Sequence, residues 1–145
     1  MITSYNIEIS LRKYLMDKYG LPVELRKQGW SPPDTRPYYT VNSPTSTPTV
    51  LTKNKTLINS RVLIEVGCFA DTISGLASLQ KDVLNDIMYG SIPLLDDSGA
   101  DIGSFSFKEI VSINDITDDT QSTSNESSIN RVYIECRTEI AYVKI

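Results

Sequence analysis

Histidine is absent from all 145 residues of this chain. That removes Ser-His-Asp and Cys-His nucleophilic sites and His-ligated metal sites together, because each needs an imidazole to carry a proton or donate a lone pair. Glycine and proline number seven each. The glycines never gather into G-x-x-x-x-G-K-[ST] or G-x-G-x-x-G, so no loop is built to cradle a phosphate or a dinucleotide. No apolar run approaches the ~20 residues of a membrane-spanning helix. The opening Met1-Ile2-Thr3-Ser4 lacks the basic-then-apolar pattern of a signal peptide. Cysteine occurs twice, at Cys68 and Cys136, each inside a run that reads as a strand. Both are expected to be small buried apolar groups in a reducing compartment, rather than a disulfide, a reactive thiol or metal ligands.

Basic charge is scarce in the second half. Residues 1–65 hold nine Lys/Arg against five Asp/Glu, and residues 66–145 hold five against thirteen, within a net charge of −4. Either the halves interleave in the fold and the asymmetry means little, or a basic edge of one copy meets an acidic edge of the next. Nucleic-acid specificity is disfavoured in both cases, because a pI near 4.8 leaves no clustered Lys/Arg to neutralise phosphates.

What is present is the material of one ordinary domain over residues 1–145, with 40% hydrophobic and 22% charged residues. Arg61 to Ala70 is rich in branched side chains and predicts a strand buried over much of both faces. Asp71 is placed to cap a helix. From Ile73 its apolar positions Leu76, Ala77, Val83, Leu84, Ile87 and Met88 oppose Ser74, Ser78, Lys81, Asp82 and Asn85, and Gly90 supplies the C-terminal glycine. A first helix, capped by Ser4 or Asn6, places Ile7, Leu11, Tyr14, Leu15 and Lys18 on one side and stops at Gly20. Val23 to Arg26 reads as a short edge strand after Pro22, and Arg36 to Val41 as a second. Between them Trp30 lies among prolines, either as a ligand platform or packed on the rim of the core.

Phe105, Phe107, Val111 and Ile113 alternate as in a strand. The final strand alternates most clearly: Val132, Ile134, Cys136, Ile140 and Tyr142 point one way, and Arg131, Tyr133, Glu135, Arg137 and Glu139 the other. That second face is either solvated or pairs with another subunit. Two polar stretches interrupt the pattern. Residues 42–60, rich in Ser, Thr and Pro, read as mobile or as an extended hairpin that orders on contact, with Lys53 and Lys55 at the tip. Residues 114–130 read as a mobile acidic insert carrying Asp115, Asp118, Asp119 and Glu126. The fold expected is a single α+β domain: a mixed or antiparallel central sheet flanked by two main helices, with long extended loops.

No catalytic constellation, metal site or cofactor is expected. Asp96-Asp97-Ser98-Gly99-Ala100-Asp101 lacks the alternating ligands and closing Glu of a calcium loop, and reads as a Gly-centred turn. Glu65, Asp97, Asp101 and Lys108 are the only residues that assemble on paper into a metal-dependent nuclease, and their spacing is loose.

Arg36-Pro37-Tyr38-Tyr39, the run Arg61 to Val66, the helix from Asp71 to Tyr89, Ile92-Pro93-Leu94-Leu95-Asp96 and Arg131 to Glu135 together resemble the tail terminators of tailed bacteriophages, also called tail completion or tail-to-head joining proteins. The resemblance covers most of the chain. It implies a late structural protein with no catalytic residue, placed in the virion neck and assembled in the host cytoplasm. Copies would form a homo-hexameric ring that ends tube growth, contacting the tail tube protein on one side and the head connector or stopper protein on the other, with no role at a membrane. The contact residues nominated are Lys53, Lys55, Asp115, Asp118, Asp119, Glu126, Arg131, Glu135, Arg137 and Glu139. Head-completion and stopper proteins are the nearest alternative, and a host-encoded interaction domain a further one.

Overall fold

A computed structural model describes residues 2–27, 30, 31, 33, 36–116 and 130–143. Its centre is β3 (Leu57–Ala70), which pairs antiparallel with β7 (Asn130–Val143) along its whole length. β2 (Tyr38–Val50) pairs antiparallel on the other side of β3, β1 (Val23–Leu25) adds in parallel beyond β2, and β6 (Phe107–Ile116) lies beyond β7. The order β1-β2-β3-β7-β6 makes a mixed five-stranded sheet. Helices α1 (Ser4–Tyr19) and α2 (Ile73–Tyr89) cover one face, and a hairpin of β4 (Ile92–Leu95) and β5 (Asp101–Phe105) packs beside α1. The chain is therefore the expected α+β domain.

Alternation explains which face is covered. Val62, Ile64, Val66, Cys68 and Ala70 of β3, with Val132, Ile134, Cys136 and Ile140 of β7, share one core with Ile7, Leu11 and Leu15 of α1 and Leu76, Leu79, Val83 and Ile87 of α2. Each Val, Leu or Ile among them contributes about 1.5–3 kcal/mol by leaving water, and the smaller Ala70 less. On the opposite face a smaller cluster is sealed at one end, where Tyr38 and Phe69 stack with ring centroids 4.5 Å apart under Trp30. Trp30 is thus a rim residue, and its indole N–H has no acceptor among the described residues.

Several local expectations change. Thr3, not Ser4 or Asn6, precedes α1; its N–H donates to Asn6 Oδ1 at 2.9 Å, and Asn6 Nδ2 donates to Asp97 Oδ1 at 2.8 Å, tying the helix start to the β4–β5 turn. Gly20 ends α1 with φ 66°, the left-handed conformation that glycine adopts without a Cβ clash. Thr72 rather than Asp71 caps α2, accepting from the Gly75 N–H at 3.0 Å. Gly90 is not left-handed; it is needed because a Cβ there would sit 2.5 Å from the Asp86 carbonyl oxygen. Ile73, Ala77 and Met88 of the expected apolar face are exposed, whereas Leu79 is buried.

The largest correction concerns residues 42–60. They are the outer parts of β2 and β3, joined by a tight turn, not weakly structured chain. Pro48 is compatible with this strand because Leu51 N–H donates to Leu57 O, which by alternation directs the backbone nitrogen of residue 48 off the sheet edge. The alternation expected across Phe105 to Ile113 is also broken. The chain leaves one sheet for the other at Ser106, and two bulges in β6 place Phe107, Ile110 and Ile113 on the helix side, leaving Val111 and Ile113 exposed. Within 114–130, residues 114–116 belong to β6 and Asn130 to β7; residues 117–129 and the side chain of Tyr142 lie outside the described residues.

Gly67 is packed where no side chain fits. A Cβ would lie 2.3 Å from Thr40 Oγ1 and 2.8 Å from Phe69 Cε1, below the ring of Tyr133. Gly67→Ala is expected to cost about 1–3 kcal/mol in chemical denaturation. A variant as stable as the wild type would show that this close approach is absent.

Candidate assembly surfaces

The hairpin tip spans residues 51–56. Thr52 Oγ1 accepts the N–H groups of Thr56 and Leu57, both at 3.2 Å, and Thr56 Oγ1 donates to Asn54 Oδ1 at 2.8 Å. These bonds present Lys53 and Lys55 outward beside exposed Val50 and Leu51. Lys55 has φ 61°, the left-handed region, which for a residue with a Cβ costs roughly 1–2 kcal/mol relative to helical or extended backbone. Glycine or asparagine is the easier occupant. The tip therefore holds a lysine where backbone energetics alone favour another residue.

The open face of β7 carries the other strand candidates. Arg131, Glu135, Arg137 and Glu139 alternate outward from the buried set, each half-buried. Arg61 Nε donates to Glu139 Oε1 at 2.7 Å, holding that carboxyl below its usual range, and Arg137 pairs with Glu109. Arg137 and Glu139 are thus engaged within their own sheet. Arg26 lies 4.9 Å from the Trp30 ring and 5.5 Å from the Tyr133 ring, and donates to the Tyr133 hydroxyl at 3.1 Å. Asp115 stands exposed on β6 opposite Val132, so it is on the helix side at the sheet's outer edge. Asp118, Asp119 and Glu126 lie outside the described residues.

The nuclease residues are not brought together. Glu65 is on the open face of β3, and Asp97 is bonded to Asn6 on the helix side of the sheet. Among the described residues, no three acidic or Cys side chains form a group able to hold a metal ion. Asp96 Oδ1 instead accepts the N–H groups of Ser98 and Ala100, both at 2.9 Å, and the Ser98 hydroxyl at 2.7 Å, as expected of a turn. Cys68 and Cys136 are free and buried, and burial pushes both thiols up.

Asp86 has no counterpart among the expected sites. It is 3% exposed in the last turn of α2 and accepts from Tyr14, Lys18 and Tyr19 of α1. The hydrogen bonds that Lys18 donates to Asp86 and then to Tyr14 raise its pKa; burial and then the bond donated to Asp86 raise that of Tyr19. A lysine held charged and a tyrosine held neutral are poorly suited to abstract a proton, and what the hydrogen bonds of the cluster do is join the two helices. Comparison with protein-family models and with curated proteins finds no match.

The Asp96 turn has a pH signature. Its hydrogen bonds, the Ser98 hydroxyl first, lower the folded pKa below the unfolded one, so the stabilisation is present above the ordinary carboxylate pKa and lost as pH falls through the folded value. Asp96→Ala is expected to be less stable than wild type at neutral pH, with the gap closing in strong acid. A gap that stays constant across that range would contradict the assignment.

Proposed function

We propose that this chain is a structural subunit of the neck of a tailed bacteriophage, a tail terminator. Its copies close into a homo-hexameric ring that caps the tail tube and meets the head connector or stopper protein. The observation that carries the reading is how charge lies on the sheet. The chain's first 65 residues, with their basic excess, supply α1, β1, β2 and part of β3; the acidic remainder supplies α2, β7 and the outer strand β6. The β4–β5 hairpin, with Asp96, Asp97 and Asp101, lies beside α1 and adds acid to the basic side, so among the described residues the two lateral sides differ in sign only by a small basic excess on one and a small acidic excess on the other. Head-to-tail closure joins two different surfaces of the same subunit, and sides of opposite sign suit such a contact.

Lys53 and Lys55 extend the basic side at the hairpin tip. Substituting them should disturb contacts and not folding, since an exposed ion pair is worth about 0–1 kcal/mol against the apolar burial that holds the domain. The partners are other copies, the tube protein and the head connector, in the virion neck after assembly in the host cytoplasm. No nucleic-acid specificity or membrane enters this reading.

Lys53→Glu with Lys55→Glu, supplied in place of the wild-type chain during phage assembly, should give tails of abnormal length with the subunit's melting temperature nearly unchanged. Lys55→Gly should be no less stable than wild type, because it relieves the left-handed backbone, and should impair assembly in the same direction. Tails of normal length that fail to join heads would favour a stopper or head-completion protein. Normal particles at wild-type yield from the double reversal would overturn the role given to the tip.

A further inference from the structure

Asp86 turns one flank of α2 toward α1. At about 100° per residue, Ile73, Ala77, Leu84 and Met88 fall on the side of α2 opposite Asp86, with Leu84 packed on the core and Ala77 and Met88 turned to solvent; α2 also lies against the outer strand β6. Nothing among the described residues covers that side: Ile73 is 68% exposed, Met88 59% and Ile113, on the helix side of β6, 42%. Helix and strand thus leave an apolar face without a partner among the described residues at the acidic edge of the sheet. Its end near Ile73 and Ile113 is flanked by Asp71 and Asp115, both exposed. Lys81, the cation beside this flank, is two turns further along the helix.

The hairpin tip has the complementary character, with exposed Val50 and Leu51 beside Lys53 and Lys55. It cannot cover that face of its own subunit. The tip lies where Leu57 pairs with Val143, whereas Asp115 lies next to the register position where Ala70 pairs with Asn130. With a rise of about 3.3 Å per residue, the length of β3 puts roughly 43 Å between those ends.

We infer that this α2–β6 face receives the hairpin tip of a second copy of this chain. Leu51 and Val50 enter against Ile73 and Ile113, and Lys53 and Lys55 meet Asp71 and Asp115. The contact joins two different surfaces, so it propagates around a ring instead of ending at a dimer. It rests on the ring reading above and names the surfaces that close it. Burial of apolar anchors supplies the affinity and the paired charges fix the register.

The test is disulfide trapping. Leu51→Cys chains and Ile113→Cys chains are oxidised separately and as a mixture at high protein concentration; both sites are exposed or half-exposed, and buried Cys68 and Cys136 do not compete while the protein is folded. Cross-linked dimer is expected in the mixture and not in either sample alone. The chain carrying both substitutions should give a ladder of higher species, lost when Asp71→Lys and Asp115→Lys are added and regained when Lys53→Glu and Lys55→Glu are added to those. No mixed dimer, or mixed dimer formed no faster than the self-dimers, overturns the contact. A trapped contact in a chain that forms no ring in the particle would sink the terminator reading and leave the contact standing. A ring in the particle without the 51–113 cross-link would do the reverse.

Discussion

The unbroken pairing of β3 with β7 is the constraint on which the rest of the structure depends. Fourteen residues of β3, from Leu57 to Ala70, are in register with Val143 to Asn130. A central strand pair of that length must hide one face, and Val62 to Ala70 with Val132 to Ile140 supply the alternating apolar set that does so. α2 follows β3 after two residues and folds back over that face, and its buried Asp86 draws α1 alongside through Tyr14, Lys18 and Tyr19. Among the described residues the other face is closed around Tyr38 and Phe69, with Trp30 and Tyr133, and is mostly polar elsewhere. One strand pair thus sets the position of both helices and leaves two lateral edges and two distant ends for contact.

Those edges are managed differently. β2 beyond Val41 has no strand outside it, and Pro48 interrupts its row of donors, so it is a poor template for adding another strand. β6 is bulged twice, which bends it and makes backbone pairing with a neighbour unfavourable. What both sides offer to a neighbour is side chains, namely a basic tip on one and exposed Ile73 and Ile113 beside Asp71 and Asp115 on the other. A subunit built this way suits assembly through specific lateral contacts better than indefinite sheet growth.

The parts legible in the sequence are those with one strong periodicity. β7 alternates from Arg131 to Ile140 without interruption, and its buried and half-buried positions follow that pattern. The turn at Asp96 to Ala100 and the stop at Gly20 were readable from residue chemistry alone. The outer half of β2 was not, because Thr45, Ser46, Thr47, Pro48 and Thr49 are exposed, so no face of that segment needed apolar side chains. Bulges in β6 changed a period of two into one of three between Phe107 and Ile113. In α2 the helical period was clear but the buried arc was rotated, since the cluster around Asp86 pulled that flank inward and left Ile73 and Met88 outside. The signal for Asp86 lay in α1, where Tyr14, Lys18 and Tyr19 return to one side of the helix near its end. The lysines at the tip were visible as charges, but the left-handed backbone at Lys55 that argues for their use was not.

The central claim is that this chain closes a ring at the junction of tail and head. An image reconstruction of the assembled particle, with this chain located in it, tests that most directly. The account predicts a single ring of copies between the last layer of tube protein and the head connector, with each hairpin tip at residues 51–56 lying outside its own subunit. The chain found as a lone copy, repeated along the tube, or missing from the particle would contradict it.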